Sequence, residues 1–202
     1  GLGDVYKRQP SDIQTLIRNL PETTLLCLDE AYIDFVDDNF VPKISLDTKN
    51  VIRMRTFSKA YGMAGLRVGY AIGEKDLILN FEKIRNHFGM SRISQVGALA
   101  ALEDYEFIIG VINKVKLSRN RIAEIANNNN CKFIPSFTNF VAIDCLKDSK
   151  FAKKVLENLI NNGVFVRMPY SYPQNRCIRV TVGLDKDIDL FEKYFPIALK
   201  ES

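Results

Sequence analysis

The sequence contains no tryptophan and only one histidine, His87, among 202 residues. With nothing at ligand spacing around that histidine, a structural or catalytic zinc site is not expected. Cysteine is sparse too. Cys27, Cys131, Cys145 and Cys177 include no C-x-x-C pair and are spread along the chain. They suit neither a disulfide framework nor a metal ribbon, and the reducing cytoplasm is the expected compartment. No apolar run approaches the roughly 20 residues needed to span a bilayer, so no membrane partner is expected. A strong charge of one sign is missing as well: 28 basic against 24 acidic residues give +4 and a pI of about 8.8. The basic residues, Arg53, Arg55, Lys59, Arg67, Lys83, Arg85 and Arg92 among them, are dispersed rather than drawn into a track, which argues against a nucleic-acid partner.

What is present is an ordinary globular balance, 47% hydrophobic and 26% charged. This length can bury a real core and accommodates one large domain, or a domain and a half. Residues 1–10 show neither helical nor strand periodicity and read as a foreign or disordered leader. From Ser11 a capped helix runs to Leu20 and Pro21 ends it. Thr24 to Leu28 is a continuous apolar run closed by Asp29-Glu30, the pattern of a buried parallel strand with acids at its carboxyl end. Val51 to Phe57 is a second strand, with Arg53 and Arg55 on one face and Ser58-Lys59 at its carboxyl end. Leu66 to Ile72 follows too closely for a helical crossover, so it should pair antiparallel at an edge. Leu77, Phe81, Ile84 and Phe88 keep a helical stripe, and helix is again expected over Ser94–Leu102 and Phe107–Ala126. His87 falls on the first of these helices and reads as a surface or pocket-rim residue.

Asn127 to Asn130 is a turn and cap signal, because asparagine side chains compete with helical backbone bonds and tolerate left-handed geometry. Beyond it the texture is α+β. Strands are expected at Asn139–Asp144, Val164–Arg167 and Cys177–Val182, with helices at Lys150–Asn162 and from Asp187. The expected organisation is therefore a larger α/β unit over 11–126, including a connecting helix, and a smaller α+β unit over 127–202.

The chemistry concentrates in Asp29-Glu-Ala-Tyr32, Thr56-Phe-Ser58-Lys59 and Arg67, all at or just past strand ends, where open α/β sheets place ligands. A lysine among the cations Arg55 and Arg67 is suited to act as a free amine toward a carbonyl. Taken singly, each residue also has a plain reading as a cap, a half-buried ring or a solvated charge.

The segments Leu-Asp29-Glu-Ala-Tyr32-Ile-Asp-Phe35, Arg55-Thr-Phe-Ser58-Lys59-Ala-Tyr-Gly-Met-Ala-Gly-Leu-Arg67-Val-Gly69-Tyr and Ile178-Arg179-Val-Thr-Val-Gly183 strongly resemble the fold-type I, pyridoxal-phosphate-dependent aminotransferases. Among these the similarity is strongest to the histidinol-phosphate aminotransferases. Lys59 stands eight positions before Arg67 and thirty after Asp29, as in that family's pattern. The resemblance covers about Ser11 onward and implies the C-terminal part of the large domain, with a mixed, mostly parallel sheet, followed by a small domain. It also implies an upstream part that precedes this chain.

By the same resemblance, Lys59 is the catalytic residue that binds pyridoxal 5'-phosphate as a Schiff base and then moves the substrate's α-proton. Asp29 is implied to hold the pyridine nitrogen, Tyr32 the ring oxygen, and Ser58 and Arg67 the phosphate. Arg179 is implied for the substrate carboxylate, Arg167 for a substrate phosphate, and Asn139, at a recurrent position near the domain boundary, for binding the substrate. The implied reaction exchanges an amino group between glutamate or 2-oxoglutarate and histidinol phosphate or its oxo form, in a homodimer and without a metal. Two rivals stand beside it: a decarboxylase similar to threonine-phosphate decarboxylase, and a non-catalytic fragment.

Overall fold

The computed structural model describes residues 10–202. The leader expected over 1–10 thus lies outside the described residues except at Pro10, which opens helix α1, Pro10–Arg18. The chain divides into two compact units between Ile112 and Asn113.

In the first unit, three strands form one sheet in the order β1 (Leu26–Asp29), β2 (Val51–Thr56), β3 (Gly69–Gly73). β1 and β2 run parallel, with Leu26 opposite Val51 and Asp29 opposite Met54. β3 returns antiparallel to β2, with Thr56 opposite Gly69 and Ile52 opposite Gly73. The short link between β2 and β3 leaves no room for a crossover helix and so forces the return, as the sequence implied. Val51, Ile52, Phe57, Ala60, Val68 and Phe35 form the buried apolar set here.

Helices α2 (Lys75–Glu82), α3 (Arg92–Glu103) and α4 (Tyr105–Asn128) follow. α2 ends at Glu82, well before Phe88. The apolar stripe that suggested a longer helix is not held by packing, since Ile84 and Phe88 are exposed. α3 is capped by Ser91, whose side chain accepts from the Ser94 N–H at 3.0 Å.

The second unit is an antiparallel sheet in the order β4 (Lys132–Ile134), β5 (Phe140–Asp144), β6 (Cys177–Thr181). Helices α5 (Ser149–Asn161) and α6 (Asp185–Lys200) pack with it. Alternation sorts the strand residues. Val141, Ile143 and Cys145 of the β5 segment and Ile178 and Val180 of β6 enter one core with Ala152, Val155 and Leu159 of α5 and Ile188, Phe191, Phe195 and Ala198 of α6.

The same core takes Ile122, Ile125 and Ala126 from α4. That burial explains why the division falls inside α4 rather than at 126/127, where the asparagine run had suggested it. The run does end the helix. Asn130 is left-handed at φ 56°, and the Cys131 N–H reaches back to the Ala126 carbonyl at 3.0 Å. Gly163 ends α5 in the same manner at φ 79°, with the Val164 N–H on the Leu159 carbonyl at 2.9 Å.

Two expectations are corrected. The strand expected at Val164–Arg167 is only an isolated bridge of Arg167 to Arg179, and β4 was not anticipated. Three residues that include Lys132 carry too little alternation to register as a strand, and pairing with β5 is what makes them one.

Leu159 is fully buried in the second core, whereas Leu184 is 66% exposed. Leu159→Ala is expected to cost about 2–5 kcal/mol in urea unfolding, and Leu184→Ala less than about 0.5 kcal/mol.

Candidate active site

Since β1 and β2 run in one direction and β3 in the other, the carboxyl ends of the first two strands and the amino end of the third share one edge of the sheet. Asp29 closes β1, Ser58 and Lys59 follow β2, and Arg67 directly precedes the β3 region. The structure therefore brings Asp29, Tyr32, Ser58, Lys59 and Arg67 to a single edge.

Local geometry shapes each of them. Asp29 Oδ1 accepts from the Ala31 N–H at 3.0 Å, which turns the chain sharply after β1 and brings Tyr32 back over the edge. Lys59 Nζ lies 5.2 Å from the centroid of the Tyr32 ring, an amine over a phenol face. The loop bearing Lys59 is closed by the Gly62 N–H on the Lys59 carbonyl at 3.0 Å and the Met63 N–H on the Phe57 carbonyl at 2.9 Å. The Ser58 N–H donates to Thr56 Oγ1 at 3.1 Å.

Arg67 has a left-handed backbone, φ 50° and ψ 49°, and its Nη1 donates to the Ala64 carbonyl at 2.8 Å. A non-glycine residue in that region is a strained choice, and such residues cluster at functional sites. Gly69 answers a different demand. A Cβ there would stand 2.6 Å from the Arg55 carbonyl oxygen, so β3 can lie against β2 only with glycine at this point.

Behind the edge, Glu30 is buried between Arg53 and Arg55. Burial works to lower the Arg55 pKa, but the hydrogen bond with the Glu30 carboxylate and the nearby Tyr70 outweigh it and leave the group raised. Burial raises the Asp34 carboxyl above its ordinary value, with the Arg55 charge offsetting part of that rise. The sequence pointed to Arg55 only as a cation near Lys59 and gave Glu30 and Arg53 no role, although arginines at i and i+2 on a strand opposite an acid were visible as a signal.

The other candidates lie in the second unit. Arg179, on β6, and Arg167 share a bridge in which each backbone N–H donates to the other's carbonyl, at 3.0 Å from Arg167 and 2.6 Å from Arg179. Both line a cavity of about 830 Å³ together with Lys153, Gln174, Met168 and Tyr170. The Arg179 guanidinium lies 4.7 Å from the Phe140 ring centroid, and its Nε is buried without a hydrogen-bond partner among the described residues. A buried orphan donor on a cation is costly unless an anion meets it.

Asn139 precedes β5 next to the fully buried Thr138, and its carbonyl accepts from the Val182 N–H at 2.9 Å. His87 is exposed, and among the described residues no cluster of possible metal ligands occurs. No helix among the described residues is long and apolar enough to cross a membrane.

The fold is that of the fold-type I pyridoxal-phosphate-dependent transferases, of which this chain carries a C-terminal part. Residues 2–190 match the model of the family described as aminotransferase class I and II, and the chain belongs to that family. It is 36% identical over 179 residues to histidinol-phosphate aminotransferase 2 of Legionella pneumophila (strain Lens), a match covering 87% of this chain and 47% of that protein. A histidinol-phosphate aminotransferase of Staphylococcus epidermidis is 39% identical over 186 residues, covering 91% of this chain and 47% of that one. The crystal structure of histidinol-phosphate aminotransferase from Sinorhizobium meliloti, in complex with pyridoxal-5'-phosphate, superposes with a TM-score of 0.93 at 42% identity, covering 98% of this chain and 55% of that one. The chain thus spans about half the length of the relatives it matches.

The Gly69 contact yields a direct expectation. Gly69→Ala should destabilise the chain by about 1–3 kcal/mol in urea unfolding, since backbone must move to admit the methyl group. Gly65→Ala, with nothing within 4 Å of its Cβ, should lie within about 0.5 kcal/mol of the parent. Equal effects of the two would contradict the close approach of β3 to β2.

Proposed function

We propose that this chain is the lysine-bearing part of an aminotransferase that exchanges an amino group between glutamate or 2-oxoglutarate and histidinol phosphate or its oxo form, imidazole acetol phosphate, in histidine biosynthesis. The observation that carries the reading is the convergence of Asp29, Tyr32, Ser58, Lys59 and Arg67 on one sheet edge. The named relatives, at 36% to 39% identity, supply the substrate class.

The donor set fits pyridoxal 5'-phosphate group by group. A carboxylate, Asp29, suits a protonated ring nitrogen, and a phenol, Tyr32, suits the ring oxygen. The amine of Lys59 suits the aldehyde. The hydroxyl of Ser58 and the guanidinium of Arg67 suit the phosphate, which a planar, always charged fork grips in two places. When bound, the cofactor supplies an electrophilic carbon and a cationic ring that accepts electron density.

The chain's own residues do the rest. The Asp29 carboxylate keeps a proton on the ring nitrogen by charge pairing. Lys59 Nζ, once free, removes the proton from the substrate's α-carbon and later returns one, and the Tyr32 ring beside it limits where that amine can stand. Arg179 holds the carboxylate of glutamate through paired charge-assisted hydrogen bonds, its orphan Nε among the donors. Arg167 holds the phosphate of the larger substrate, and Asn139 supports the substrate. The working assembly is a homodimer in the cytoplasm, a reading in keeping with the exposed apolar side chains Ile93, Val96 and Leu99 on α3.

Three measurements test this reading. In an absorbance titration of the purified chain with pyridoxal phosphate, a band should appear that is absent from Lys59→Ala and is bleached by glutamate. A band indifferent to Lys59 would remove the proposal. So would release of carbon dioxide from the amino substrate without any oxo-acid acceptor, which would mark a decarboxylase instead. Arg179→Met should leave cofactor affinity within about twofold while raising the glutamate concentration needed for bleaching by about 10- to 100-fold, the worth of hydrogen bonds to a charged group.

A further inference from the structure

The carboxylate of Glu30 takes no part in the reading above, yet it stands next to Asp29 in the chain. On extended backbone adjacent side chains point to opposite faces. Asp29 is accordingly exposed, and Glu30 is 7% exposed. Its two oxygens are divided between two cations: Oε1 accepts from Arg53 Nε at 2.8 Å, and Oε2 from Arg55 Nε at 2.9 Å. These arginines lie two apart on β2 and so share a face. The backbone of Glu30 is held by the residue between them, its N–H donating to the Met54 carbonyl at 2.9 Å.

Glu30 is thus tied to three successive residues of β2. The tie continues toward Lys59. Arg55 stands opposite Tyr70, its register partner on β3. The Tyr70 ring lies 5.7 Å from that of Phe57, and Phe57 lies 4.9 Å from Tyr61. Phe57 and Tyr61 bracket Ser58 and Lys59 in the chain. Taken together, these contacts run from the turn after β1, which carries Asp29 and Tyr32, through β2 and β3 to the segment after β2, which carries Ser58 and Lys59.

We infer that Glu30 is a positioning residue of the cofactor site, one that sets where Asp29 and Tyr32 stand relative to Lys59. The inference rests on the reading of Lys59 and Asp29 given under Proposed function. A bidentate carboxylate between two fixed Nε–H donors locks direction as well as distance, which a packed apolar side chain would not do. Buried ion clusters also have another explanation, since many can be replaced by apolar residues of similar volume without loss of stability. That fact supplies the test.

Two variants are compared with the parent chain: Glu30→Gln, which keeps the shape but offers one arginine a donor instead of an acceptor, and the combined Glu30→Met, Arg53→Met, Arg55→Met, which removes the charges together. Two readouts are taken. The first, free of cofactor, is amide hydrogen exchange at Ala31 and Ile33, whose N–H groups hold the turn through Asp29 Oδ1 and the Glu30 carbonyl. The second is the concentration of pyridoxal phosphate that half-saturates the Lys59-dependent band.

Positioning predicts exchange at Ala31 and Ile33 faster by on the order of tenfold while the β2–β3 ladder changes less than about twofold. It also predicts half-saturation at a concentration on the order of tenfold higher, even in a combined variant whose melting temperature matches the parent. A folded variant with parental exchange at the turn and parental cofactor affinity overturns the inference. Should the combined variant not fold, Glu30→Gln decides by the same two readouts. If the parent chain shows no Lys59-dependent band, the aminotransferase reading of this chain fails, and the exchange comparison alone decides Glu30.

Discussion

Strand β2 is hydrogen-bonded on both flanks, parallel to β1 and antiparallel to β3, and the arrangement of the first unit follows from that double pairing. A parallel neighbour brings Asp29 level with Met54. An antiparallel neighbour brings Gly69 level with Thr56. Between them, the residues that leave β2 have acids on one side and a guanidinium on the other. Because side chains alternate along a strand, shifting the β1–β2 register by one residue would exchange the two faces of β1, putting Glu30 where Asp29 now stands. The pairing is therefore a specification of charge placement as much as of shape.

Much of this was legible from the residues. The parallel strand ending in Asp29-Glu30, the short return from Lys59 to β3 and the helix stops at Asn130 and Gly163 each have a local physical cause that is written in neighbouring side chains. The burial expected of that strand is not found, since Cys27 is exposed and Leu26 and Leu28 are half-buried. The illegible parts share the opposite property. β4 exists only because β5 offers it partners. The division within α4 depends on Ile122, Ile125 and Ala126 finding a distant core. α2 stops short of Phe88 although its stripe continues, because periodicity records what a helix could bury and not whether anything covers it.

The site shows the same contrast. The convergence of Asp29, Lys59 and Arg67 was expected from their places at or just past strand ends, which meet in any open α/β sheet, whereas their roles came from the family resemblance. The cluster of Glu30, Arg53 and Arg55 was not, because its meaning lies across two strands and behind the edge. In the second unit, Arg179 was visible as a residue but its unmet Nε was not. Whether a buried donor has a partner is a question that only three dimensions answer.

Arg67 carries a conformational cost as well as a charge. Its left-handed backbone would be adopted more readily by glycine, at a saving of about 1–2 kcal/mol. Gly69, two residues on, shows the reverse, since sterics alone reserve its place for glycine. The short return from β2 to β3 thus sets a side chain against backbone preference at one position and forbids any side chain at the next but one.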